Sequence, residues 1–414
     1  MTEPRASMRH LLHRLQPMTE RDHEEPNRVA TTLELLYDLT LVVAFGVAGV
    51  QLAHAIAVGQ VLPGLVSFGI VQFATVWAWM NYSWFASAFD TDDWGVRLCV
   101  GFQMVGILIL ATDIPALFRN MADGWRFDPI VMVVGYVVMR VAMVVMWLRA
   151  ARANPERARV FRANAAWTGV VQVLWVVSCF VDLGFASRLW VAVLLIVVEV
   201  AAPVLLLWRR YGGTSFHPHH IAERHGLLVI ISLGEIVVGT AGSVSTLHEL
   251  HGWWPSAAGV LVCGISIAVS MWWIYFCLPF GQALHRRRDL AFHFGYLHFF
   301  IYASIAAVGA GLHVMALREQ GEADLSTLSS LLFLVVPLAL FIITVGMLVG
   351  LTRVKPRTRR ASLVLLGLTL GLLGLSVLLA LLGAPYVVCM VVAMLAPWLD
   401  VIAIETTGHR FLID

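Results

Sequence analysis

Three ionisable side chains stand where hydrocarbon is expected: Arg140, Glu199 and Glu235. Each lies inside a long apolar run, about 16–18 Å from the start of that run at the rise of an α-helix. An ionisable group at such depth costs roughly 2.5–3.5 kcal/mol on insertion scales, so one that is retained is paired or faces a polar cavity. Opposite signs at similar depth invite an ion pair. Two acids competing for one arginine would leave one of them able to carry a proton, because burial in low dielectric disfavours the charged form of a carboxyl group. The competing reading is a desolvated pair that only fixes helix packing.

The stretch Glu223-Arg-His-Gly-Leu-Leu-Val-Ile-Ile-Ser-Leu-Gly-Glu235 adds a second layer. Arg224 and Glu235 are eleven positions apart, about 1100° of helical rotation, which places them within about 20° of one face. Gly226, Gly234, Gly239 and Gly242 allow close helix approach along the same run. A helix cap with a snorkelling Arg224 would account for Glu223, Arg224 and His225, but not for Glu235. Glu34 and Asp38 share a face at i,i+4 near the start of the first apolar run, where acids also complement a helix dipole. Gln51 and His54 follow further along that run, and Asp113 precedes Pro115, where a helix should kink or end. His298 and Tyr302, again i,i+4, would serve as a proton path or bond a neighbouring helix, and His293 and His313 share their run. The loop His217-Pro-His-His220 has closely spaced imidazoles but lacks cysteine and a supporting acid other than Glu223, so metal is not expected there. No P-loop, HExxH motif, nucleophile elbow or strand-linked GxGxxG is present.

The elements that position these groups follow from composition. The chain has 414 residues, 59% hydrophobic and 13% charged, where a soluble globular chain is about one-quarter charged. That excludes an ordinary soluble enzyme and predicts an all-α, polytopic membrane bundle. A span needs about 20 apolar residues. Twelve runs qualify, near 33–58, 62–86, 96–117, 128–149, 164–181, 188–208, 223–243, 256–279, 293–316, 326–352, 361–383 and 385–404. Loops after even-numbered spans collect Arg149 to Arg162, Arg209, Arg210, Arg286 to Arg288 and Arg353 to Arg360, whereas the opposite side holds only Arg119, Arg126, Arg188 and Arg318. By the positive-inside rule this predicts a plasma-membrane protein with both termini cytoplasmic. Residues 1–30 read as a cytoplasmic tail without the apolar core of a cleaved signal peptide, with a short interfacial helix around Met8–Leu15, and 408–414 as a second tail. The five cysteines are scattered singly and read as small buried hydrophobes. Landmarks recur between residues 31–215 and 216–407: Glu34 with Glu223, Trp79 with Trp272, Asp93 with Asp289 and Glu199 with Asp400. Two parallel six-helix halves would produce that order, as would the aromatic belts and loop charges common to any two such stretches.

The blocks Glu34-Leu-Leu-Tyr-Asp-Leu-Thr-Leu-Val-Val-Ala-Phe45, Phe89-Asp-Thr-Asp-Asp-Trp94 with Arg97, Tyr136-Val-Val-Met-Arg140, Glu223 to Glu235 and Met271-Trp-Trp-Ile-Tyr-Phe276 resemble the bacterial low-temperature-requirement A membrane-protein family. Their order and spacing match over roughly 28–404. The resemblance implies a many-helix plasma-membrane protein and supplies no reaction. One departure is Ile236, where the family pattern leads us to expect a serine that would give Glu235 a hydroxyl partner.

The leading expectation is a secondary transporter or a proton- or ion-coupled permease. Glu235 would be the proton or cation site, Arg140 its counter-ion or an anion clamp, Glu199 the competing acid, and Glu34, Asp38 and Arg224 a cytoplasmic gate, with His298 as a further binding group. An ion channel is the nearest competitor. An intramembrane lipid-modifying enzyme would use His298 and the carboxylates as acid and base, but its only acidic cluster, Asp90-Thr-Asp-Asp93, reads as a solvated turn. A structural or sensory component would close Arg140, Glu199 and Glu235 into one dry network. The partners called for are membrane lipid and a small molecule or ion; a homo-oligomer stays open, and neither a cofactor, a metal nor nucleic acid is expected.

Overall fold

The computed structural model describes residues 15–21, 29–89, 91–203, 215–251, 255–352 and 356–407. It is 87% helical, with no strand among the described residues. Twelve long helices succeed one another: α1 (Thr32–Ala57), α2 (Val61–Ala88), α3 (Trp94–Ala122), α4 (Ile130–Ala153), α5 (Ala158–Phe180), α6 (Phe185–Ala202), α7 (Pro218–His251), α8 (Pro255–Phe276), α9 (Ala291–Glu319), α10 (Thr327–Thr352), α11 (Pro356–Leu381) and α12 (Tyr386–Thr407). Among the described residues eleven helices are long and apolar enough to cross a membrane. The remaining one, α6, has 18 residues, and the rest of its expected span, 204–208, lies outside the described residues. So do most of the expected interfacial helix, Asp90, Arg209, Arg210, Arg353 and the tail 408–414.

Local chemistry explains where the helices begin and end. The α1 start is a reciprocal capping box. Glu34 N donates to Thr31 Oγ1 (3.2 Å) and Thr31 N donates to Glu34 Oε2 (2.7 Å). Asp93 caps α3 by accepting from Val96 N at 2.9 Å. Helices α1, α9 and α11 close on the same Schellman turn. In α1 it is Gly59 N to Ile56 O with Gln60 N to Ala55 O, and Gly59 supplies the positive φ of 78° that the turn requires. Pro115, where the sequence reads a kink or an end, lies inside α3, which runs on to Ala122; neighbouring helices in a membrane bundle tolerate the carbonyl that a proline leaves unpaired.

The chain divides into two compact units, one formed by residues up to 44 and 74–221, the other by 45–73 and 222–414. Helices α1 and α2 therefore each contribute to both. In the first unit α3 packs on α4, α4 on α5 and α5 on α6. Gly106 and Gly135 let α3 and α4 touch backbone to backbone, since a Cβ on either would come within 2.6 Å of the other's carbonyl oxygen. In the second unit α9 packs on α10, α10 on α11, and α12 on both α11 and α8. Large apolar side chains such as Val173, Leu194, Val238 and Leu368 point outward, while Ser67, Gln72, Thr75, Ser83 and Gln103 are buried. That inversion of the soluble pattern fits hydrocarbon outside and hydrogen-bonding partners inside.

Candidate functional site

Glu199 sits at the centre of a closed polar cluster in the first unit. Arg140 Nη2 donates to Glu199 Oε1 at 3.0 Å. The Tyr136 hydroxyl donates to the same carboxylate, 3.0 and 2.9 Å from its two oxygens, and Gln172 Nε2 donates to Oε1 at 3.3 Å. Tyr136 precedes Arg140 by one helical turn of α4, so both face α6 together. The two charged side chains are 3% and 1% exposed. Among the described residues Arg140 Nε and Nη1 and Gln172 Oε1 have no hydrogen-bond partner. Tyr136 and Gln172 were not expected at the site; the i,i+4 spacing of Tyr136 and Arg140 was the available signal.

The acids of α1 also lie in the first unit. Besides closing the capping box, Glu34 faces His220, with Nε2 3.3 Å from Oε1. Asp38 is fully buried, and its Oδ1 accepts from Trp79 Nε1 at 2.6 Å. Thus His220 of the histidine loop is a partner for a carboxylate, and among the described residues no group of three or more His, Cys, Asp or Glu could hold a metal. The acidic turn before α3 is not simply solvated. Asp92 forms an exposed pair with Arg97 at 2.8 Å, and its hydrogen bonds from Arg97 hold the carboxyl below its usual range. Asp93 is buried beneath Arg149. Burial pushes its carboxyl up, but the hydrogen bonds from Arg149, Val96 N and Gln16 N outweigh this and hold it below the usual range.

The second unit holds Arg224, His298 and Glu235. Arg224 is fully buried. His298 Nδ1 is 2.7 Å from Phe294 O, and Nε2 is 2.7 Å from the Tyr275 hydroxyl. A carbonyl only accepts, so Nδ1 donates to Phe294 O. The ring is fully buried with both nitrogens engaged. The Tyr302 hydroxyl donates to His225 O at 3.2 Å.

Glu235 is the exception. It is half-buried, and among the described residues its carboxylate has neither a hydrogen bond nor an ion pair. The side chain rests on α1 at Gly46, where a Cβ would fall 2.9 Å from Oε2. Its backbone is crossed by α9 at Gly309, whose Cβ would meet Glu235 O at 2.8 Å, and a Cβ on Gly239 would meet Gly309 O at 2.6 Å. Gly46 thus seats the carboxylate, while Gly309 and Gly239 bring the α7 and α9 backbones together beside it. Of the three groups expected at mid-membrane, the structure joins Arg140 to Glu199 and pairs neither with Glu235.

Residues 29–397 match the family described as Bacterial low temperature requirement A protein (LtrA). The chain belongs to this family. The matched stretch of this LtrA-family protein takes in Glu34, Asp38, Arg140, Glu199, Arg224, Glu235 and His298. An uncharacterized protein of Rhizobium meliloti (strain 1021) is 27% identical over 250 residues, which is 59% of this chain and 57% of that one. The chain therefore spans little more than half the length of that relative. No solved structure matches.

Proposed function

We propose that this LtrA-family membrane protein is a secondary transporter or proton-coupled permease in which Glu235 binds and releases the coupling proton. The observation that carries this reading is the unpartnered carboxylate of Glu235 within a span, resting on Gly46, which has no side chain to neutralise it. Intramembrane carboxylates without a structural partner mark ion and proton pathways. The Arg140–Glu199 cluster is assigned a different task, holding α4 and α6 together. Arg224, in the same unit as Glu235, is assigned to the cytoplasmic gate, and the protein sits in the bacterial plasma membrane with both termini cytoplasmic.

The test is proton flux in proteoliposomes under an imposed pH gradient. Glu235→Gln, which keeps the shape of the side chain and cannot ionise, should abolish flux. Wild-type flux in that variant would sink the assignment. A second reading, a structural or sensory component, is favoured by the closed cluster around Glu199; it calls for no flux in either protein.

A further inference from the structure

Two histidines stand apart from the others in the second unit. His54 on α1 is exposed and His313 on α9 is half-buried. Their rings meet edge to face with centroids 6.0 Å apart. Among the described residues none of their four ring nitrogens has a hydrogen-bond partner, in contrast to the fully engaged His298.

Close contacts fix the relation of this pair to Glu235. Gly46 of α1 lies against the Glu235 carboxylate, a Cβ on Gly49 would fall 3.7 Å from Ala306 O, and one on Gly242 of α7 would fall 4.0 Å from His313 Nδ1. Helices α1, α7 and α9 therefore run parallel here, with the histidines further toward their C-terminal ends. From Gly46 to His54, and from Glu235 to Gly242, is about 10–12 Å along the helix axis, a gap that about three waters bridge at hydrogen-bond spacing. Gln51 and His54, one helical turn apart on α1, are at least partly open, as is Gly46. The charged groups around the pair are few. Glu322, in the turn after α9, acts electrostatically on His313. Arg318 is engaged with Thr327, and His248 and Glu249 end α7. The α2 stretch 61–73 and α10 carry no ionisable side chain.

We propose that His54 and His313 form the proton port for Glu235 on the side of the membrane where α1 ends. An imidazole takes a proton on one ring nitrogen and releases one from the other, so the ring returns to neutral and the proton passes by water to the Glu235 carboxylate, which becomes the neutral acid. This rests on Glu235 being the proton site. Two imidazoles at this separation also reach a single zinc ion at Zn–N bonds of about 2.0–2.1 Å, which supplies a probe independent of transport.

The experiment uses the full chain in oriented proteoliposomes, with zinc chloride added to one face at a time, and zinc binding measured on the same purified proteins. Wild-type flux should be blocked by zinc only from the face where α1 ends. His54→Gln/His313→Gln should lose zinc binding and zinc block and lower flux about tenfold or more. Glu235→Gln should lose flux but bind zinc as the wild type does, which also shows that it folds. Wild-type flux and pH profile in the double histidine variant, with Glu235→Gln inactive, would overturn the port and leave the Glu235 reading standing. Flux retained in Glu235→Gln would overturn that reading itself.

Discussion

Glu199 and Glu235 are the same side chain placed at similar depth in an apolar helix, yet the fold treats them in opposite ways. Glu199 is enclosed by Arg140, Tyr136 and Gln172 on two facing helices. Glu235 rests its carboxylate against Gly46, and among the described residues that carboxylate has no hydrogen-bond donor and no cation. A carboxylate held by a cation and two neutral donors is committed to one arrangement, and changing its charge breaks the packing. One held by backbone alone can change its charge with little rearrangement. The depth of an acid in a membrane therefore says less about its role than the number of donors around it.

The largest effect expected from testing this contrast is on stability. Removing one member of the first pair, Arg140→Ala or Glu199→Ala, leaves an uncompensated buried charge and should cost about 3–5 kcal/mol. Replacing both by Met and Leu should recover most of the loss, while Glu235→Gln should leave thermal unfolding in detergent close to wild type. Equal destabilisation by the Glu199 and Glu235 substitutions would erase the distinction.

Next come the glycines around Glu235. Gly239→Ala forces its Cβ against Gly309 O, fixed backbone that must move, and should cost about 1–3 kcal/mol. Gly46→Ala meets only the tip of the Glu235 side chain. It should leave the unfolding temperature nearly unchanged while lowering proton flux. Loss of stability without loss of flux in Gly46→Ala would argue against a working carboxylate there.

The smallest effect lies at the edge of the bundle. Asp93 caps α3 and pairs with Arg149, so Asp93→Asn should cost about 1 kcal/mol near neutral pH. Because its folded carboxyl is held below the unfolded value, this contribution is present above about pH 4 and disappears as the pH falls through the lowered value. Unfolding midpoints measured against pH should converge for wild type and variant at acid pH. Divergence there would mean that the cap is not what stabilises the turn.

Much of the architecture was legible in the residues themselves. Long apolar runs located the helices, Thr31-x-x-Glu34 encoded the capping box, and Gly59 and Gly383 stood at the turns where helices stop. The partners of the buried acids were another matter. Asp38 finds Trp79 across 41 residues and Glu199 finds Tyr136 across 63, because helix rotation and crossing decide which side chains face each other. Those are set by contacts such as Gly106 against Gly135, which periodicity does not report. The sequence leaves two acids competing for one arginine, and the fold gives Arg140 to Glu199.

Carbodiimide labelling of membrane-embedded protein, followed by mass spectrometry of the two glutamates, tests the contrast most directly. A hydrophobic carbodiimide reacts with a carboxyl group that carries a proton and is free of strong donors. The account predicts modification at Glu235, suppressed as the pH is raised, and none at Glu199 while Arg140 is in place. Labelling of Glu199 with Glu235 untouched would contradict it.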